Sequence, residues 1–103
     1  MRDVFSAVAD PTRRELVDLL AGGGELPLHE LTARLPMGRT AVSKHLALLK
    51  ESGLVVDRRR GRETCYQLNA APLREVQDWV SCYERLWTDR LGRLKDLVEG
   101  EDA

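Results

Sequence analysis

Apolar positions along the first half of the chain recur at intervals of three and four. Val4, Phe5 and Val8 open the pattern, and Leu16, Val17, Leu19 and Leu20 widen it into the stripe of a second helix. Between them, Asp10-Pro11 supplies a cap and a ring whose fixed φ suits a first helical turn. Gly22-Gly23-Gly24 ends that helix, because glycine tolerates left-handed dihedrals and disfavours helix continuation. Leu28, Leu31 and Leu35 then mark a short third helix, which Pro36-Met37-Gly38 interrupts. A fourth helix is predicted over about 39–52, with Val42, Leu46 and Leu49 facing inward, His45 beside them and Gly53 as the stop. The result is two short helices joined by a tight turn.

After Gly53 the period changes. Leu54-Val55-Val56 and Thr64 to Leu68 are β-prone and flank a polar run, Arg58 to Arg62, that contains Gly61. This predicts a hairpin over about 54–68 with a basic tip. Pro72 opens a last helix over about 72–99, about 28 residues or about 42 Å at the usual rise. Along it Leu73, Val76, Val80, Tyr83, Trp87, Leu91, Leu94 and Val98 step by threes and fours, widened by Trp79, Leu86 and Leu97. One copy of so small a chain cannot bury that whole stripe, so the helix needs a partner. The reading is mainly α with a small β-hairpin, in the order α-α-α-α-β-β-α. Residues 1–103 form one domain, without internal repeat or linker and with a frayed tail at Gly100 to Ala103.

Length supports the single domain: 103 residues, 43% hydrophobic, provide one core but little for a deep substrate cleft. No run of about 18 apolar residues occurs, and the acidic N-terminal stretch does not read as a signal peptide, so the expectation is a cytoplasmic protein with no membrane partner. A net charge of −1 hides an uneven distribution. Between Arg34 and Arg62 eight cations face only Glu51 and Asp57, a local +6 that the rest of the chain offsets. A basic middle between acidic ends attracts phosphates on one face.

Cations and the paired short helices point the same way. A helix-turn-helix lays its second helix in the major groove of DNA, which demands one apolar face for docking and an opposite face of short polar and cationic side chains. The fourth helix has both. Arg39, Thr40, Ser43, Lys44 and Ala47 lie opposite the apolar positions; Arg39 can bond guanine in pairs, and Thr40 and Ser43 can reach bases or phosphates. Arg58, Arg59, Arg60 and Arg62 on the hairpin offer guanidinium groups to phosphates or to an adjacent minor groove. His45 shares the docking face, so seating the helix is its first role and DNA contact its second. Catalysis is not expected: no nucleophile, base and donor set converges, and no glycine-rich loop follows a strand.

These segments resemble the ArsR-type (arsenic-repressor) winged helix-turn-helix regulators over nearly the whole chain. The likeness is carried by FSAVADPTRRELVDLLAGG and by RTAVSKHLALLKESGLVVDRRRGRETCYQL, with AVSKHL and ESGLV most diagnostic. What the resemblance implies is a homodimer formed by the first and last helices, through Val4, Phe5, Val76, Trp79, Val80, Tyr83, Trp87, Leu91 and Leu94. It also implies a double-stranded DNA operator with an inverted repeat near its own promoter, and repression. The family's DNA-contacting positions fall on Arg39, Thr40, Ser43 and Lys44, with the wing arginines alongside.

The chain departs from the family's metal-sensing pattern. The Cys-x-Cys-Asp-Leu motif would fall on Pro27-Leu28-His29-Glu30-Leu31, which lacks the donors, and no histidine follows His45, so neither metal nor cofactor is expected. YERLWTDRLGRLKDLV resembles a subgroup without known metal ligands whose members often repress themselves. Cys65 and Cys82 leave open a thiol- or metal-responsive repressor, although lone cysteines more often pack. Trp79 and Trp87 are read as packing residues before pocket-lining ones, and a small-molecule effector, unidentified, stays open. The remaining rival is a winged-helix module that binds another protein, against which the clustered arginines argue.

Overall fold

Two aspartates start the first helices. In the computed structural model, which describes residues 3–101, Asp3 accepts from the Ser6 N–H at 2.8 Å and begins α1 (Val4–Ala7). Asp10 accepts from the Arg13 N–H at 3.0 Å and begins α2 (Pro11–Gly23), whose first residue is the expected proline. Gly24, at φ 70°, closes α2 in the left-handed conformation that glycine adopts without steric cost. There follow β1 (Leu26–Pro27), α3 (Leu28–Ala33), α4 (Arg39–Glu51), β2 (Val55–Arg60), β3 (Glu63–Leu68), α5 (Leu73–Ser81) and α6 (Glu84–Glu101). Gly61, at φ 64°, makes the β2–β3 turn.

The core is where the apolar periods meet. Leu16 and Leu20 of α2, Leu31 of α3, and Val42, Leu46 and Leu49 of α4 are fully enclosed together with Leu54 and Val55. Each such side chain contributes about 1.5–3 kcal/mol of burial, which fixes α4 against α2 and α3. The helix-turn-helix and the hairpin therefore follow the expected architecture, a mainly helical fold with a small sheet.

Two details differ from the sequence reading. The sheet has three strands in the order β1-β3-β2, both pairings antiparallel, with Leu26 opposite Tyr66 and Pro27 opposite Cys65. A two-residue strand has no readable period, and its proline is tolerated because β1 lies at the edge. The last helix, expected unbroken over 72–99, divides at Cys82 and Tyr83. There the N–H groups of Cys82 and Tyr83 donate to Trp79 O at 3.2 Å and Val80 O at 2.9 Å, tightening the turn to an i→i+3 pattern before α6 begins. Of the tail expected at Gly100 to Ala103, α6 takes in Gly100 and Glu101, and the rest lies outside the described residues.

Much of the last helix's stripe stays in the open. Trp79, Tyr83, Trp87, Leu91 and Leu94 are exposed, as are Leu86, Leu97 and Val98. Phe5 and Val76 pack partly on the core, and Val80 is half-buried. Val4 corrects the expected interface: at 3% exposure it belongs to the chain's own core, because α1 turns Val4 and Ala7 inward, and it offers almost no surface to a partner. Trp79 and Trp87, read first as packing residues, are not packed away within one chain. Among the described residues, no helix is long and apolar enough to cross a membrane.

Candidate nucleic-acid interface

The burial of Val42, Leu46 and Leu49 determines what α4 shows to the outside. Arg39, Thr40, Lys44 and Ala47 are exposed on the opposite face and Ser43 is half-exposed, so the expected reading surface lies on one side of one helix. Its far end is pinned to the hairpin, where Lys50 Nζ lies 3.1 Å from Asp57 Oδ1 on β2. Beneath that ion pair, burial and the Asp57 carboxylate push the Tyr66 hydroxyl above its ordinary value.

The near end of α4 meets the tip of the hairpin. Leu28, His29, Arg39, Arg62, Glu63 and Thr64 enclose an open cleft of about 140 Å³, so the first residue of the reading helix and a wing arginine look into the same space. His29, which the sequence presented as a polar surface residue, hydrogen-bonds through Nδ1 to Glu63 Oε1 and ties the start of α3 to the wing.

The wing arginines divide between the two faces of the sheet. The register sets Arg59 opposite Thr64 and Asp57 opposite Tyr66, while Arg58 stands opposite Cys65 and Arg60 opposite Glu63. Side chains alternate along a strand, so Arg59 shares one face with Thr64, and Arg58 and Arg60 share the other with Cys65 and Glu63. There Glu25, in the loop before β1, receives Arg58 in a fork, with Nε and Nη2 each 2.8 Å from a carboxylate oxygen and Arg60 Nη1 3.8 Å away. The hydrogen bonds from Arg58 hold the Glu25 carboxyl below its ordinary value, and the same pairing raises Arg58. Sequence reasoning missed Glu25 because only β1, too short to predict, brings it across β3. Among the described residues, Arg59 and Arg62 enter no ion pair.

His45 lies at the α2–α4 junction, with Nδ1 3.3 Å from Arg13 Nη1 and 3.9 Å from Asp10 Oδ2. Arginine only donates, so Nδ1 accepts and the ring proton belongs on Nε2. The same guanidinium donates to Ala7 O at 2.8 Å and Ser6 O at 3.3 Å, joining the end of α1 to the reading helix. The Arg13 N–H holds the Asp10 carboxyl below its ordinary value, with the charge of Arg13 adding to the effect. Both cysteines are free, Cys65 buried in β3 and Cys82 exposed at the α5–α6 joint. No three His, Cys, Asp or Glu side chains among the described residues converge as a metal site would require.

Comparison with known proteins agrees with this geometry. A family model described as a helix-turn-helix domain matches residues 8–58. The transcriptional repressor SdpR of Bacillus subtilis (strain 168) is 34% identical over 80 residues, spanning 78% of this chain and 88% of that protein. A crystal structure of a possible transcriptional regulator for arsenical resistance superposes with a TM-score of 0.72 at 38% identity, covering 91% of this chain and 94% of that one. The homodimeric winged helix-turn-helix DNA-binding domain of Mb0332 from Mycobacterium bovis, a possible ArsR-family transcriptional regulator, gives 0.64 at 32% identity over 81% of this chain and 78% of that one.

Proposed function

Because this chain belongs to the ArsR family of winged helix-turn-helix transcriptional regulators, we propose that it is a repressor that binds an inverted-repeat operator as a homodimer. Each copy lays α4 in the major groove, where Arg39 reads guanine, Thr40 and Ser43 contact bases or phosphates, and Lys44 neutralises the backbone. Arg62 and Arg59 engage the flanking phosphates or minor groove, and His45 seats α4 on α2. The copies join through Phe5 and the apolar stripe of α5 and α6, and the protein acts in the cytoplasm on DNA near its own promoter.

The observation that carries this reading is that Arg39, the first residue of α4, and Arg62 of the wing line one cleft, as residues proposed to read a base and a flanking phosphate would need to. The homodimeric neighbour supports the pairing. The test titrates the protein against duplex from upstream of its own gene and against mixed-sequence duplex, across a salt series. The expected result is a preference for the upstream duplex of about 10³-fold or more, with two protected half-sites about 34 Å apart. Absence of binding to any duplex at low salt refutes the proposal, and equal binding to both refutes autoregulation.

A further inference from the structure

Glu25 has no part in the reading above, yet its geometry is specific. Its side chain is only 19% exposed, and it spends both carboxylate oxygens on Arg58 while drawing in Arg60. A forked arginine–carboxylate pair is the strong, directional form of a charge-assisted bond, and it uses the guanidinium edge that would otherwise clasp a phosphate. The strand alternation adds a second, independent fact. Arg58 and Arg60 lie on the sheet face opposite that of Arg59 and Thr64, and among the wing arginines only Arg62 lines the cleft with Arg39.

We propose that Glu25 is a specificity-setting residue: it holds Arg58 and Arg60 off the DNA backbone, so that the wing's sequence-blind attraction is confined to Arg59 and Arg62. Phosphate neutralisation supplies nearly all non-specific affinity, and every cation that reaches a phosphate tightens binding to all sequences alike. A regulator must find one site among a genome of competitors, so what counts is the ratio of specific to non-specific binding. An acid that forks Arg58 and holds Arg60 at 3.8 Å lowers the non-specific side of that ratio without touching α4. Glu25 acts through Arg58 and is therefore a positioning residue, and the inference rests on the DNA-binding reading.

The test uses the full chain and mixed-sequence duplex, following the dissociation constant by fluorescence anisotropy from about 0.05 to 0.2 M salt. Glu25→Gln removes the carboxylate charge that forks Arg58, freeing that guanidinium on each wing. The slope of log affinity against log salt should steepen by about 0.9 for each phosphate newly engaged, about 1.8 for one on each wing of a dimer, and low-salt binding should tighten about tenfold. A merely structural role would weaken binding instead. An unchanged slope, or weaker binding, overturns the proposal. Should Glu25→Gln melt at the assay temperature, the double variant Arg58→Gln/Arg60→Gln decides, since it keeps Glu25. Its slope should stay within about 0.5 of the wild type, and a slope shallower by more than that means that these arginines already hold phosphates and overturns the proposal. If the wild-type protein binds no duplex, the DNA-binding reading fails and this inference with it; wild-type binding with an unresponsive Glu25→Gln removes the inference alone.

Discussion

Replacing Trp87 with alanine isolates the proposed dimer contact from the fold. Trp79 would be a poor choice, because it stands edge-on to Phe5 at 5.6 Å and to Tyr83 at 5.7 Å and so supports its own chain. Trp87 is 52% exposed and makes no ring pair among the described residues. A tryptophan carries about 150–250 Å² of surface, so about 100 Å² of Trp87 is free for a partner to cover. At about 25 cal/mol per Å², covering it contributes about 2.5 kcal/mol per copy and about 5 kcal/mol per symmetric dimer. Alanine retains a small part of that, so Trp87→Ala should weaken dimerisation by about 3–4 kcal/mol, a change of about 10²- to 10³-fold in the dimer dissociation constant. Sedimentation across a concentration series measures the constant, and circular dichroism of the variant at high concentration reports whether the helices persist. A dissociation constant within threefold of the wild type, or a wild type that sediments as one copy at every concentration, would refute the assignment of this stripe to dimerisation.

Three further outcomes follow from the placement of individual side chains. Arg39→Ala should cost about 1–3 kcal/mol on the operator and flatten the preference among operator variants, read by competition binding. Arg13→Lys keeps the charge but cannot fork to Ser6 O, Ala7 O and His45 at once, so it should lower operator affinity while sedimentation still shows the dimer. Asp10 titrates below its ordinary 3.8 when folded, so the stability it contributes is present above that value and is lost as pH falls through the lower, folded value. The melting temperature should therefore decline below about pH 4, and Asp10→Asn should make that acid decline shallower.

What was legible in the sequence was whatever repeats. The three-and-four spacing of Leu16 to Leu20 and of Val42 to Leu49 announced α2 and α4 because burial enforces that spacing over several turns. The hairpin was equally plain, since β-prone runs flank Gly61. By contrast β1 is two residues long and half proline, so neither period nor propensity marks it. The joint at Cys82 lacks glycine and proline, and the tightened backbone bonds that divide α5 from α6 carry no residue signature. At the interface, the reading face of α4 could be read from the helix alone. The sorting of the wing arginines could not, because it depends on strand register and on Glu25, an acid distant in sequence that reaches them only across the sheet.

The same long-range contacts link the face proposed for dimerisation to α4. Phe5 leans on Trp79 at the face proposed to meet the second copy. The next two residues, Ser6 and Ala7, give their carbonyls to Arg13, whose remaining nitrogen meets His45 on α4. A symmetric operator presents its half-sites at a fixed separation, so two α4 helices bind together only if their distance across the dimer is equally fixed. Under the proposed dimeric reading that distance runs through the short α1, held on one side by the Phe5–Trp79 edge contact and on the other by the Arg13 guanidinium. A helix of four residues contributes little stability of its own. It is held at both ends, by Phe5 against Trp79 and by Arg13 on the carbonyls of Ser6 and Ala7, so the proposed reading expects a change at Arg13 to be felt at the operator.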